Sequence, residues 1–252
     1  MSKKELVKKE ETPVVEFDEN FGSGFEESDK DAFAIPFIRI LQTNSNQANE
    51  DEESYIEGAK PGMFYNTVSN ALYGKEITVI PVHYARSFIE WMPDRGGFVA
   101  DHKNNLAIYD QAAREGSLNL LPNGHIITDT RNHFIIVVGE VPDAGIFSLT
   151  STNIKHSKKW MSNMKNLRLP NGKSAPMFSS YYKMKSILNK NDQGTWYGIG
   201  DKQVTAIERV SWIDKKYLSI ISDFREMVLS NKIDVDYNQT QEEPYSDDEP
   251  GF

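Results

Sequence analysis

The sequence predicts a mainly β fold, an OB-type barrel elaborated with helices, with an irregular α+β sandwich as the alternative. Three observations lead to this prediction. Short β-branched and aromatic runs recur between turn residues, few segments have helical periodicity, and strands and helices do not alternate as in βαβ proteins. With 252 residues, of which 38% are hydrophobic, the chain can bury a sizeable core.

The predicted strands occupy most of the middle of the chain. The longest, residues 76–91, contains Pro81, which cannot donate to a ladder and therefore indicates an edge or a bulge. The last two strands flank the turn residues 191–194, which predicts a hairpin. The strand segments are residues 35–41, 63–68, 76–91, 126–127, 133–141, 144–150, 181–190 and 195–210.

Three helices are predicted. The first covers residues 106–115 and stops at Gly116. The second follows the N-cap candidates at 151–153 and runs to about residue 167. The third spans residues 212–230, opens at a segment similar to a capping box, and has apolar residues at helical spacing.

The charge distribution divides the chain into a body and two acidic ends. The net charge is −9, yet residues 1–31 hold 5 basic and 10 acidic residues, and residues 234–252 hold 7 acidic residues and no basic one. We therefore predict a disordered arm over 1–33, a body over 34–232, and a disordered tail over 233–252. Within the body, residues 144–191 contain nine basic residues and no acidic one, which favours contact with a phosphate backbone.

On two predicted strands, basic and aromatic residues lie at every second position, so that alternation places them on one face: Tyr84, Arg86 and Phe88 on the first strand, and Tyr181, Lys183 and Lys185 on the second. Single-stranded nucleic acid is bound by this combination, because cations follow the phosphates and aromatic rings stack on bases. The alternative is that the aromatic residues pack in the core and the lysines form an ordinary solvated surface. The predicted DNA-binding residues are Tyr84, Arg86, Phe88 and Trp91, then Lys155, Lys158, Lys159, Lys165 and Arg168 on and after the second helix, and Tyr181, Lys183 and Lys185. The apolar side of that helix, including Trp160, is predicted to be core.

Signatures of enzymes, cofactors and metal sites are weak. The chain has no cysteine, its five histidines lack metal-ligand spacing, and the glycine-rich segment 194–202 fails the spacing of a phosphate-binding loop. We therefore expect a non-catalytic protein without cofactor or metal. A third hypothesis is a metal-dependent nuclease using carboxylates such as Asp94 and Asp101. No apolar run is long enough for a signal peptide or a membrane span, so we expect a cytoplasmic protein without membrane contact.

The last residues of the chain resemble the acidic tips of single-stranded DNA-binding proteins, including the bacteriophage type, in which an acidic tail follows an OB domain and ends in Phe. The matching residues are Asp247, Asp248, Glu249, Pro250 and Phe252, with Gly251 between Pro and Phe as a departure from the bacterial pattern. Residues 35–91 also look like phage replication-module proteins. The resemblance implies that the tail binds a polymerase, helicase or nuclease, and that it competes with DNA for the protein's own basic groove.

These observations predict a sequence-tolerant single-stranded DNA-binding protein. It would protect single strands and recruit proteins of DNA replication, recombination or repair through its tail, in the cytoplasm of a host cell if the gene belongs to a phage. The alternative is a phage structural or assembly protein with acidic sorting ends. The oligomeric state, including a homodimer, is left open.

Overall fold

The computed structural model describes residues 35–93, 96–192, 194–230 and 235–240. Thirteen strands and three α-helices lie within these residues. The strands are β1 Ile38–Ile40, β2 Phe64–Asn66, β3 Leu72–Gly74, β4 Glu76–Trp91, β5 Phe98–Asp101, β6 Ala113–Glu115, β7 Leu118–Leu120, β8 Ile126–Val137, β9 Asp143–Thr150, β10 Ser180–Lys185, β11 Ile187–Asn191, β12 Gly194–Gly198 and β13 Ile207–Trp212. The helices are α1 Leu106–Tyr109, α2 Ile154–Asn166 and α3 Leu218–Leu229.

Two long antiparallel strands, β4 and β8, form the centre of an eight-stranded sheet. On the far side of β4, β10 pairs with its start and β13 pairs in turn with β10, whereas β5 pairs with the end of β4. On the far side of β8, β9 pairs with most of its length, and the β6–β7 hairpin joins at Ile126. The register shifts between Pro81 and His83, which is the bulge that the proline predicts.

Two smaller sheets complete the described strands. Strands β1, β2 and β3 form a sheet that meets β9 through a parallel bridge between Phe37 and Ile146. Strands β11 and β12 form the hairpin predicted around residues 191–194.

The two faces of the large sheet carry separate cores, because side chains alternate along each strand. On one face, Val79, Ile135 and Phe147 pack with Trp160 of α2. On the other, Ile80 and Phe134 belong to the cluster that includes Phe224 of α3. We call these the α2 face and the α3 face.

The prediction of a mainly β fold is confirmed, and the arrangement corresponds to the α+β alternative. The order of the described strands ends in free edges at β13 and β6, so they do not close into an OB-type barrel. The physical reason is that helices cover both faces of this sheet and bury its apolar side chains. In a small closed barrel, by contrast, the inward-facing side chains of the strands fill the interior themselves.

Three predicted elements differ from those observed. Strand β8 is continuous where two short strands were predicted, because the polar stretch Thr128–Asn132 stays in the ladder with β4. Helix α1 covers only four residues, and residues 113–115 instead form β6, which turns at Gly116 with φ +57°. The predicted strand 195–210 is broken into β12 and β13 by the turn around Gly200.

Residues 235–240, which fall inside the predicted tail, pack on the body. The Tyr237 ring is buried between Phe37 and Phe98, with centroids 5.8 and 5.6 Å away. Its hydroxyl accepts a hydrogen bond of 2.6 Å from Asn132 Nδ2. Burial of this aromatic ring explains why packed residues are found beyond residue 232, where composition alone placed the end of the body. The arm 1–33 and residues 241–252 lie outside the described residues.

Candidate nucleic-acid interface

A groove of about 750 Å³ opens on the α2 face, where the end of β4 runs beside the start of β8. Its floor is formed by residues of these two strands. The β6–β7 hairpin, the start of α2 and the loop after β12 form its walls. Segments distant in sequence therefore meet at this one site.

The floor of the groove contains two arginines that lie opposite each other in the ladder, Arg86 on β4 and Arg131 on β8. Directly opposed like charges destabilise a sheet unless they are compensated. Asp129 compensates them. Arg86 donates to its carboxylate through Nε and Nη2 at 3.0 and 2.7 Å, and Arg131 donates through Nη2 at 2.8 Å. We call Arg86, Asp129 and Arg131 the arginine clamp.

Asp129 and Arg131 of the arginine clamp are ionised although they are partly buried. Burial opposes ionisation of Asp129, but the hydrogen bonds from Arg86 and Arg131 outweigh it and lower the pKa of that carboxyl below its ordinary value. Burial likewise opposes the charge on Arg131, and the bonds to Asp129 and Tyr84 outweigh it, so its pKa is raised. The three groups together carry one net positive charge.

The walls add further positive charge. Lys155 and Lys158 come from the first turns of α2, Arg114 from the β6–β7 hairpin, and Lys202 from the loop after β12. Six basic and two acidic side chains thus line the groove, a difference of four positive charges. The second acidic residue, Asp201, accepts backbone hydrogen bonds from Val204 and Gln203, both 2.7 Å, which lower its pKa. The groove is therefore a site for anions.

The start of α2 contributes to the same potential. The helix follows a 3₁₀ turn, Ser151–Asn153, that also lines the groove, and its first turn contains no acidic residue. The N-terminal end of a helix dipole favours negative charge. His156 lies beside it and is neutral at physiological pH, because burial and then the charge of Lys155 lower its pKa.

Gly200 allows the loop after β12 to lie against α2. Its φ is +154°, and a Cβ at this position would collide with the carbonyl oxygen of Val204 and with His156. The glycine-rich segment 194–202 thus acts through close packing, and it brings Lys202 to the groove beside Lys155.

Two half-buried aromatic side chains also line the groove, Trp196 of β12 and Tyr109 of α1. Tyr109 stacks on Phe88 with a centroid distance of 4.7 Å and an interplanar angle of 24°. Partly exposed rings beside cations are the surface on which unpaired bases stack.

The structure brings three of the twelve predicted DNA-binding residues into the groove lining: Arg86, Lys155 and Lys158. Tyr84 adjoins it, since its hydroxyl accepts a hydrogen bond of 3.0 Å from Arg131 Nη1. Tyr84, Arg86 and Phe88 share the α2 face, as alternation predicts. The next two predicted residues require a correction.

Phe88 and Trp91 pack in the core. Phe88 is fully buried, with the Arg86 guanidinium 4.4 Å from its ring centroid, so its ring is closed to a base. Trp91 packs on Phe98 in the core of the α3 face, at 6.1 Å between centroids. Apolar packing buries the Phe88 ring fully and the Trp91 ring partly, which is the alternative that the sequence left open for this strand.

The remaining basic residues of the α2 segment lie outside the groove lining. Lys159, Lys165 and Arg168 are exposed along α2 and just beyond its end. Arg168 Nη1 donates to the carbonyls of Lys165 and Leu167 at 3.0 and 3.1 Å, so its guanidinium helps to cap the helix. Trp160 is buried, as predicted.

The predicted β10 residues lie on the opposite face of the sheet from the groove. Tyr181 packs edge-on against Tyr217 beside α3 and donates a hydrogen bond of 2.9 Å to Asp214. Lys183 forms an ion pair of 2.9 Å with Glu76, and Lys185 is exposed. These residues therefore cannot share one binding surface with Arg86.

Five groove residues escaped the sequence analysis: Tyr109, Arg114, Arg131, Trp196 and Lys202. Arg131 lies in the polar stretch between the predicted strands 126–127 and 133–141, and its role depends on its register with Arg86. Trp196 and Lys202 belong to the segment tested only as a phosphate-binding loop. Inspection of that segment for aromatic and basic pairs would have found them.

The other predicted sites are not assembled in the described residues. Asp101 forms an ion pair of 2.7 Å with Lys103, and Asp94 lies outside the described residues. Within those residues, no three His, Asp or Glu side chains are grouped to hold a metal ion. The tail residues Asp247, Asp248, Glu249, Pro250 and Phe252 also lie outside them. In the described part of the chain, no helix has the length and apolarity needed to span a membrane.

Comparison with known proteins identifies a phage family. Residues 4–233 match the family model described as Pam3 phage gp34-like protein. Comparison with curated proteins and with solved structures finds no match. The phage part of the predicted resemblance thus agrees with the family. Because the match covers most of the sequence, the chain belongs to the Pam3 phage gp34-like family.

Proposed function

We propose that this protein binds single-stranded DNA in the groove on the α2 face, without catalysing a reaction. The observation that carries the proposal is the lining of the groove. It combines six basic side chains, two carboxylates that already accept hydrogen bonds, and two partly exposed aromatic rings.

The basic and the aromatic side chains of the groove would contact different parts of a bound strand. Arg86, Arg131 and the lysines of α2 contact phosphates, which provides affinity without sequence preference. Trp196 and Tyr109 stack on bases, and every base has a face on which an aromatic ring can stack. A duplex hides these base faces, so single strands are preferred.

The wider role is protection of single strands and recruitment of replication, recombination or repair proteins. The acidic tip supports this part of the proposal through its sequence alone. Its terminal Phe252 would enter an apolar pocket of a polymerase, helicase or nuclease, and Asp247, Asp248 and Glu249 would steer the approach of a basic partner.

A titration of fluorescently labelled oligo-dT, followed by anisotropy at several salt concentrations, tests DNA binding. If four to six phosphates are contacted, the slope of log affinity against log salt should be about −3 to −4. Equal affinity for duplex DNA of the same length would contradict the proposal. Absence of binding at low salt would contradict it too, and would favour the phage assembly alternative.

A further inference from the structure

We propose that the arginine clamp binds a phosphate monoester, so that the groove takes the phosphorylated end of a strand in preference to its interior. This inference rests on the proposed function and narrows its ligand. Two properties of the groove lead to it, its size and its density of positive charge.

The size of the groove suits a short piece of nucleic acid. Its volume of about 750 Å³ is that of a pocket enclosing one small ligand. It therefore holds about one or two nucleotides rather than a long strand. The rest of a bound strand would leave over the rim, and phosphates outside the groove would bring the total contacted to the roughly four to six assumed for the salt dependence.

The charge of the groove exceeds what so few phosphodiesters require. A phosphodiester carries one negative charge, whereas the lining has four more basic than acidic side chains. A terminal phosphate monoester carries about −1.5 to −2 at pH 7 and presents three acceptor oxygens. The monoester matches the lining more closely.

The arginine clamp supplies the geometry for such a group. Asp129 holds the guanidinium of Arg86 through two hydrogen bonds and that of Arg131 through one, so both are oriented before a ligand arrives. The side chains of Arg86 and Arg131 are 25% and 13% exposed to solvent. Fixed, planar guanidinium groups bind the oxygens of a phosphate bidentately, and Asp129 is the positioning residue.

The test compares three forms of one dT oligonucleotide in the full-length protein: a 5′-phosphate, a 3′-phosphate and hydroxyls at both ends. We expect one phosphorylated form to bind about tenfold tighter than the hydroxyl form, through additional charged hydrogen bonds. Thymidine monophosphate, used as a competitor, separates a strand end from a free nucleotide. If it displaces the phosphorylated oligonucleotide at equal concentration, the clamp recognises a free nucleotide and the strand-end proposal is overturned.

Single substitutions test whether the arginine clamp causes the preference for a phosphorylated end. Arg86→Gln, chosen because Arg86 is the more exposed of the two arginines, should reduce the ratio between phosphorylated and hydroxyl forms to near one. Asp129→Asn should reduce the same ratio, because Asp129 orients both guanidinium groups, although loss of a negative charge alone would favour anion binding. Lys155→Gln, the matched loss of one charge in the same groove, should weaken both forms alike and keep the ratio. An unchanged ratio in Arg86→Gln would overturn the proposal.

The pH dependence gives a second readout that a structural role of Arg86 would not produce. The second ionisation of a phosphate monoester has a pKa of about 6, so the ratio should shrink between pH 7.5 and pH 5.5. The titratable groups beside the clamp would not produce this change. Hydrogen bonds lower the pKa values of Asp129 and Asp201 further below this range, and a proton gained by His156, whose pKa is lowered by burial and then by Lys155, would add positive charge and so favour the phosphorylated form. A ratio that is constant with pH would overturn the proposal.

The outcomes separate this inference from the proposed function. Equal affinity of all three oligonucleotides, with the expected salt dependence, overturns the strand-end preference and leaves single-stranded DNA binding intact. Absence of binding by every form overturns both.

Discussion

The groove on the α2 face and the exposed side of β10 on the α3 face have nearly the same sequence pattern. Tyr84 and Arg86 alternate on one strand, and Tyr181 and Lys183 alternate on the other. In the groove the basic residues outnumber the acidic ones and face an open cleft. On β10 the tyrosine packs beside α3, and Lys183 is neutralised by Glu76 across the neighbouring strand. Aromatic and basic alternation therefore supports the proposal of a binding surface only where the tertiary structure adds an excess of basic residues around it.

The two regions also differ in how their charges are held. The Lys183–Glu76 pair is largely exposed, at 46% and 44%, so water and salt screen it. Asp129 is 11% exposed and accepts hydrogen bonds from both arginines. Charges that are partly withdrawn from water act more strongly on a ligand.

Loss of both clamp arginines should affect DNA binding most. We expect Arg86→Gln with Arg131→Gln to weaken oligo-dT binding about 30- to 100-fold at moderate salt, because each removed contact is a charge-assisted hydrogen bond. The salt slope should fall by about 1.4, the value for two phosphate contacts on a single strand. Anisotropy titrations measure both quantities, and circular dichroism checks the fold. A loss equal to that caused by Lys183→Gln with Lys185→Gln would contradict the comparison of the two faces.

Acid should destabilise the α2 face through His133. This imidazole is fully buried, stacks on Trp160 at 4.6 Å, and has its pKa lowered to about 3 by burial and then by the charge of Arg131. Because the unfolded chain binds a proton near pH 6.5 and the folded chain does not, the stability contribution is present above pH 6.5 and is lost as the pH falls towards 3. Between pH 7 and pH 5 we expect a loss of about 2 kcal/mol in the free energy of unfolding.

Urea denaturation at the two pH values tests this expectation. His133→Gln should flatten the pH dependence. His83→Gln on the α3 face should flatten it less, because His83 is only partly buried and burial and Arg225 lower its pKa to a smaller extent. The same slope in both variants would show that the faces do not differ in this respect.

Trp196, one of the two aromatic residues that line the groove, should contribute less to DNA affinity than the arginine clamp. Trp196→Ala is expected to weaken oligo-dT binding about tenfold, within the roughly 1–3 kcal/mol of one base stacked on an aromatic ring. Trp212→Ala is the matched control, since Trp212 is exposed on β13 and stacks with Arg209 outside the groove lining. Quenching of tryptophan fluorescence by DNA should disappear in Trp196→Ala and persist in Trp212→Ala. Persistence in both would place the bases elsewhere.

Removing the β10 lysines should have the smallest effect. We expect Lys183→Gln with Lys185→Gln to change oligo-dT affinity by less than about twofold, because exposed and paired charges contribute little. The same titration measures it. A change of tenfold or more would show that DNA contacts the α3 face, and the groove would then be only part of the interface.

Much of the local structure could be predicted from the sequence. Alternation placed Tyr84, Arg86 and Phe88 on one face, Pro81 indicated the bulge, and helical periodicity placed Trp160 in the core. These features depend on side chains a few residues apart, so the periodicity of a strand or a helix is sufficient. Lys155 and Lys158 were predicted as binding residues because the segment lacks acidic partners in sequence, and they line the groove.

The amino-acid sequence was sufficient to predict the mainly β class, the separation of acidic ends from a basic body, and the residue types needed for an anion site. The folded structure was needed to show that Arg86 lies opposite Arg131, that the lysines of β10 lie on the other face, and that Trp196 lines the groove. The physical reason is that strand register and the choice of face are set by burial of apolar residues distant in sequence. Charge and periodicity are local properties of the chain, whereas a binding groove depends on segments that folding brings together.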